Sequence, residues 1–229
     1  MESFQPEQLE YIVEFDASLS GAGILWFKRM SDGSEVSLGG SAVDLRGFKF
    51  GSDSSVQNTA EYIACIIGMA GLALLGVRDT DIEVRGDSVA ALTWAETERP
   101  RGHIVTNASM VFTLLSICFG LDVKNGVHIS GEDNWRCDRL SRICEHGGNI
   151  SDVLDEMGLN QTVIIDLQEN AQVQTLLAGC HPARRLEGEE VFLEFWEEVR
   201  RALEEIESSV ADSSTSVIST PVIPSYLIM

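Results

Sequence analysis

YIVEFDASLSGAGILWFKRMSDGSEVSLGGSAVDL, residues Tyr11–Leu45, alternates apolar and polar side chains in runs separated by turn residues. A period of two is the mark of strands that turn one face to a core. The first run ends at Asp16, and the short link through Leu19 and Ser20 predicts a hairpin into Gly21–Arg29. Ser31–Ser34 is a turn, and Glu35–Leu45 makes a third strand with a kink at Gly39–Gly40. Three antiparallel strands therefore open the fold.

Working outward, the run Asn58–Val77 is helical and apolar nearly all round, so Gly68 and Gly71 should let it lie close on the sheet. Asn58 and Glu61 have the spacing of a capping box. A fourth strand, Asp81–Ser88, leads into a short helix, and Ile104–Leu121 is a further helix. Asp122–Ser130 is a fifth strand, and Asn134–His146 a last helix. This order predicts an α/β fold: a mixed five-stranded sheet, three strands antiparallel and then helix-linked parallel strands, with helices on both faces. Residues 8–148 form the expected domain, 149–208 an acidic and mostly helical extension, and 209–229 a Ser/Thr-rich disordered tail. The first 150 residues are expected to fold alone.

The chain has 229 residues and a formal charge of −20. Residues 11–147 hold 12 basic and 18 acidic side chains, leaving 4 and 18 to the flanks, so most of the excess lies outside the central region. A pI near 4.4 excludes nucleic-acid binding through a generally basic surface, but not through a local site. Five cysteines without a CxxC pair, no apolar leader and no long apolar span predict a soluble intracellular protein, cytoplasmic or nuclear, that is not secreted.

Four acids fall at special places: Asp16 and Asp87 at strand ends, Glu61 early in the long helix and Asp138 early in the last one. Each has an ordinary reading as a turn, cap or surface ion pair; Asp138 has Arg136, Arg139 and Arg142 around it. Strand ends and helix termini in an α/β sheet line one crevice, however. Carboxylates gathered there raise each other's pKa, and hard divalent cations resolve that conflict. Two ions about 3.5–4 Å apart would suit phosphodiester hydrolysis.

FDAS, NTAEYIACIIGMAGLALLGV, IEVRGDS and HISGEDNWRCDRLSR together resemble the four catalytic segments of type 1 ribonuclease H, most nearly the ribonuclease H domain of LTR-retroelement reverse transcriptases. The resemblance spans about residues 8–147. It implies that Asp16, Glu61, Asp87 and Asp138 are catalytic and bind two Mg²⁺ ions, with Mn²⁺ as a substitute. It also implies that Ser18, Gln57, Asn58, Ser88 and Asn134 contact the substrate, an RNA–DNA hybrid whose RNA strand is cut. A polymerase domain, or another polyprotein part, is the implied protein partner, with no membrane. The short SGEDN loop replaces the histidine-bearing loop of many cellular relatives, and Ala95–Ile104 has only Arg99, Arg101 and His103 where those carry a basic helix. Two other readings stand beside the hybrid nuclease: a non-catalytic scaffold of the same fold, and a DNA-acting nuclease.

Overall fold

The computed structural model describes residues 9–48, 50, 56–97, 105–159, 162–181 and 189–214. Strands β1 (Tyr11–Ala17), β2 (Gly21–Arg29) and β3 (Glu35–Asp44) are antiparallel neighbours. Strands β4 (Thr80–Gly86) and β5 (Leu121–His128) join them in parallel, giving the order β3-β2-β1-β4-β5. This is the mixed five-stranded sheet, antiparallel and then parallel, that the sequence predicts.

β1 is the middle strand, hydrogen-bonded on both edges, and Ile12 through Ala17 are all buried. Its alternation sorts the core into two layers. Val13, Phe15 and Ala17 join the larger cluster, while Ile12 joins the smaller one with Leu25 and Phe27. Helix α1 (Val56–Leu74), with α2 (Val89–Thr97) and α3 (Thr106–Phe119), packs on the larger side. The approach of α1 is as close as its glycines suggest. A Cβ on Gly68 would lie 2.3 Å from Val13 Cγ1, and one on Gly71 would lie 2.1 Å from the Trp26 ring. Trp26 Nε1 donates to the Gly68 carbonyl at 2.7 Å. The last helix divides at Arg142 into α4 (Trp135–Ser141) and α5 (Ile143–His146), which cover the opposite face with α6 (Ile150–Glu156).

The capping box is not formed. α1 begins at Val56, so Asn58 is already inside the helix and its Oδ1 accepts from Ser88 Oγ at 3.3 Å. Glu61 reaches across to the sheet instead of back to its own helix start. Of the cysteines, Cys65, Cys137 and Cys180 are buried free thiols, Cys144 is half-buried and Cys118 is exposed. Burial pushes the Cys65 thiol up to about 12, so it is an inert packing group.

The core does not close at residue 148. Helices α7 (Ala171–Cys180) and α8 (Glu189–Ser214) lie against α1 and α3, and Leu176, Leu177, Phe195, Val199, Leu203 and Ile206 belong to the same cluster as β1. The stripe Phe195, Val199, Leu203 and Ile206 of the acidic helix is thus core-facing, and that helix runs to Ser214, six residues into the expected tail. The rest of that tail, and Arg99, Arg101 and His103, lie outside the described residues. Phe195→Ala should cost about 3–5 kcal/mol in urea denaturation, as for other fully buried aromatics. A chain ending at residue 150 should lose its cooperative transition; an unchanged midpoint would show that α7 and α8 are accessories.

On the α4 side, beyond the helix, lies a neutral ion network. Arg85 reaches Glu35 and Glu83 at 2.7 Å and Glu14 at 3.2 Å. Arg29 is 3.1 Å from both Glu35 and Glu83, and Arg136 is 3.1 Å from Glu14. The side chains of Glu14, Glu83 and Arg85 are only 6%, 8% and 16% exposed. Burial alone would raise the Glu83 pKa, yet donors from Arg29, Arg85 and Asn125 outweigh it and hold the carboxyl below its ordinary value.

Candidate active site

The parallel pairing of β1 with β4 sets the ends of two central strands side by side, and α1 starts above them. Asp16 leaves the end of β1, Asp87 follows β4, and Glu61 comes from the second turn of α1. One carboxylate oxygen from each lies within 4.8 Å of the others. Asp16 and Glu61 are 6% and 3% exposed, while Asp87 opens toward solvent beside the loop at Gly131.

Two of the three acids are held by neighbours. The Ala17 N–H donates to Glu61 Oε2 at 3.2 Å, and Gln57 Nε2 donates to Glu61 Oε1 at 3.0 Å and to the Ala17 carbonyl at 2.6 Å. Ser141 Oγ donates to Asp16 Oδ2 at 2.7 Å, and Asn134 Nδ2 lies 3.1 Å from the Phe15 carbonyl and 3.5 Å from Asp16 Oδ1. Ser141 was not among the residues singled out from the sequence. Its signal there is its place one turn after Asp138 on the inward side of the last helix.

Burial, reinforced by the charges of Asp16 and Asp87, raises the Glu61 pKa to about 9. Burial likewise raises Asp16 to about 6, with Asp87 and Asp138 adding to the shift and the Ser141 hydrogen bond opposing it. An all-oxygen donor set whose charged form is disfavoured when empty suits a hard divalent cation, which replaces the protons. Asp16, Glu61 and Asp87 could hold such an ion.

A pH dependence follows. Both folded-state pKa values lie above the ordinary ones, so the folded chain keeps protons that the unfolded chain has released. The associated stability is complete below the ordinary carboxylate range and is lost as pH rises, through about 6 for Asp16 and about 9 for Glu61. Thermal melts in EDTA should therefore fall as pH rises from the ordinary carboxylate range to about 9, the interval these shifts span. Saturating divalent ion should flatten the fall, because the bound form needs no protons. Equal slopes with and without metal would show that no ion binds here.

Asp138 does not join the three. Its carboxylate pairs with Arg142 at 2.6 Å, and its side chain is 40% exposed. The surface ion pair is what the structure shows for that residue, although its charge is still felt at Asp16. Among the expected substrate residues, Ser18 Oγ accepts from the Ser20 and Gly21 N–H groups and so caps the β1–β2 turn. Ser88 Oγ accepts from the Ala91 N–H at the start of α2. Gln57 braces Glu61. Asn58 stands beside the cluster through its contact with Ser88, and Asn134 lies buried against β1. His128 ends β5 exposed, paired in the sheet with Gly86 just before Asp87.

No family model matches the chain, and no curated protein matches it. Among solved structures, the ribonuclease H1 of the halophilic archaeon Halobacterium salinarum NRC-1 is 22% identical, covering 60% of this chain and 98% of its own, with a TM-score of 0.42. A ribonuclease H1 isolated from compost by a metagenomic approach is 21% identical over 58% of this chain and 93% of its own, with a TM-score of 0.42. Its complex with an RNA/DNA hybrid matches at 23% identity, 57% and 92% coverage, and a TM-score of 0.41. No helix among the described residues is long and apolar enough to cross a membrane.

Proposed function

We propose that this chain is a divalent-metal-dependent endonuclease of the ribonuclease H type that hydrolyses the RNA strand of RNA–DNA hybrids. The observation that carries the reading is the convergence of Asp16, Glu61 and Asp87, from three separate chain segments, within 4.8 Å. The four segments that hold the acids, quoted above, supply the reaction class. Mg²⁺ is the proposed ion, with Mn²⁺ as its substitute. When bound, such ions supply Lewis acidity at the scissile phosphate. The chain's own part is to hold the oxygens in place: Gln57 and the Ala17 N–H orient Glu61, and Asn134 braces the end of β1. Asp138 completes the set after leaving Arg142. A retroelement origin and a polymerase partner rest on the same four segments and belong to this proposal.

Selection for RNA falls to groups that sense the sugar. Asn58 sits one turn before Glu61, beside the cluster, and its amide is the proposed contact to a 2′-hydroxyl. Because Asn58 does not cap the helix, Asn58→Ala should leave the melting temperature unchanged and lower cleavage about tenfold. The deciding assay incubates the purified chain with labelled RNA–DNA hybrid, duplex RNA and duplex DNA, with Mg²⁺ and with EDTA. Cleavage of hybrid RNA alone, and only with metal, is expected. Efficient cleavage of duplex DNA would favour the DNA-nuclease reading. Metal binding without any cleavage would favour the scaffold reading, for which the withdrawn Asp138 is the supporting observation.

A further inference from the structure

Helix α4 lies unusually deep on the sheet, and two glycines of β2 allow it. A Cβ on Gly23 would stand 2.2 Å from the Cys137 carbonyl oxygen and 2.6 Å from the Ser141 nitrogen. One on Gly21 would stand 2.5 Å from the Ser141 carbonyl oxygen. Both are backbone contacts, which cannot swing aside as a side chain can. Gly23 is also the residue of β2 that pairs with Asp16. The glycine seat is therefore opposite the acid, and it lowers Ser141 to within 2.7 Å of Asp16 Oδ2.

Ser141 is fully buried, and its Oγ lies 2.9 Å from the carbonyl oxygen of Asp138 as well. A hydroxyl has one proton for these two acceptors. A charged carboxylate is the stronger of them, so the proton belongs to Asp16 whenever that group is ionised. Asn134, just before the first turn of α4, grips the same strand end through the Phe15 carbonyl. The helix that carries Asp138 is thus tied at both its ends to the strand that carries Asp16.

We propose that Ser141 is a positioning residue: seated through Gly21 and Gly23, it fixes the orientation of the Asp16 carboxylate and its placement relative to α4. The inference rests on the reading of Asp16 as a metal ligand. Ser141 touches neither metal nor substrate and acts through Asp16. Removing its hydroxyl leaves Asp16 Oδ2 without a hydrogen-bond donor among the described residues. Groups that orient a ligand in this way usually weaken metal binding by about 10–100-fold when removed.

The test compares the full chain with Ser141→Ala, using Mn²⁺ as probe in calorimetry on metal-free protein, melting in EDTA, and kcat and KM on hybrid. A Kd for Mn²⁺ raised about 10–100-fold, lower kcat, unchanged KM and nearly unchanged melting are expected. A lower melting temperature with unaltered Mn²⁺ affinity and kcat would make Ser141 a packing residue and overturn the inference. Gly23→Ala, which forces α4 outward, should weaken Mn²⁺ binding in the same sense. If the unaltered chain binds Mn²⁺ but cuts no hybrid, the functional reading fails while the Mn²⁺ affinities still decide this inference. If it binds no Mn²⁺, both fall.

Discussion

Asp16→Asn and Asp87→Asn should each lower hybrid cleavage on the order of a thousandfold or more, and the double variant should be little worse than either. Non-additivity is the sharper part of the expectation. The three oxygens serve one site, so removing a second donor from a site already broken costs little. A second measurement separates this from misfolding. At pH 8 without metal, Asp16 stands above its raised pKa of about 6 and is held charged in a buried place. Asp16→Asn removes that charge, so the inactive variant should melt higher than the parent in EDTA. Function kept at the expense of stability is the mark of a site whose charges await a ligand. Retention of most activity by Asp16→Asn would place the chemistry elsewhere.

A large stability effect should also come from Arg85→Met. Arg85 is shared by Glu14, Glu35 and Glu83, and its loss leaves Arg29 and Arg136 to balance three carboxylates. Breaking a buried ion pair from one side costs about 3–5 kcal/mol, because the remaining charge has no compensation. For a domain of this size that is roughly 10 °C of melting temperature. The acid limb should change too. Glu35, through its bonds to Arg85, and Glu83 have lowered pKa values, so their stabilisation is present above the ordinary carboxylate range and is lost as pH falls. Arg85→Met should flatten that loss. A variant within about 1 kcal/mol of the parent would show that water screens the network.

Much of this architecture is legible in residue order. The alternation in Tyr11–Leu45 reports strands because each buries a face, and Gly68 and Gly71 report the close approach of α1 because only a missing side chain admits the sheet there. Three of the four singled-out acids do meet. What was misread turns on partners remote in sequence. The Asn58–Glu61 spacing satisfies a local rule, but Glu61 accepts instead from Gln57 one turn back and from Ala17, 44 residues away. Ser141 looks like any helical serine until Gly23 brings Asp16 beneath it. Asp138 pairs with Arg142 one turn on in this structure, and its part in holding metal belongs to the proposal.

The pairing at Gly40 has a meaning for self-association. A terminal strand offers a row of unsatisfied amides to any other extended chain, a common start of aggregation. β3 is such a strand, yet the Gly40 N–H donates to the Val163 carbonyl at 2.9 Å, and the Ile165 N–H donates back to Gly40 at 3.0 Å. The segment after residue 148 thereby occupies part of the edge that a neighbouring molecule could otherwise adopt. Its value to the molecule is colloidal as well as structural.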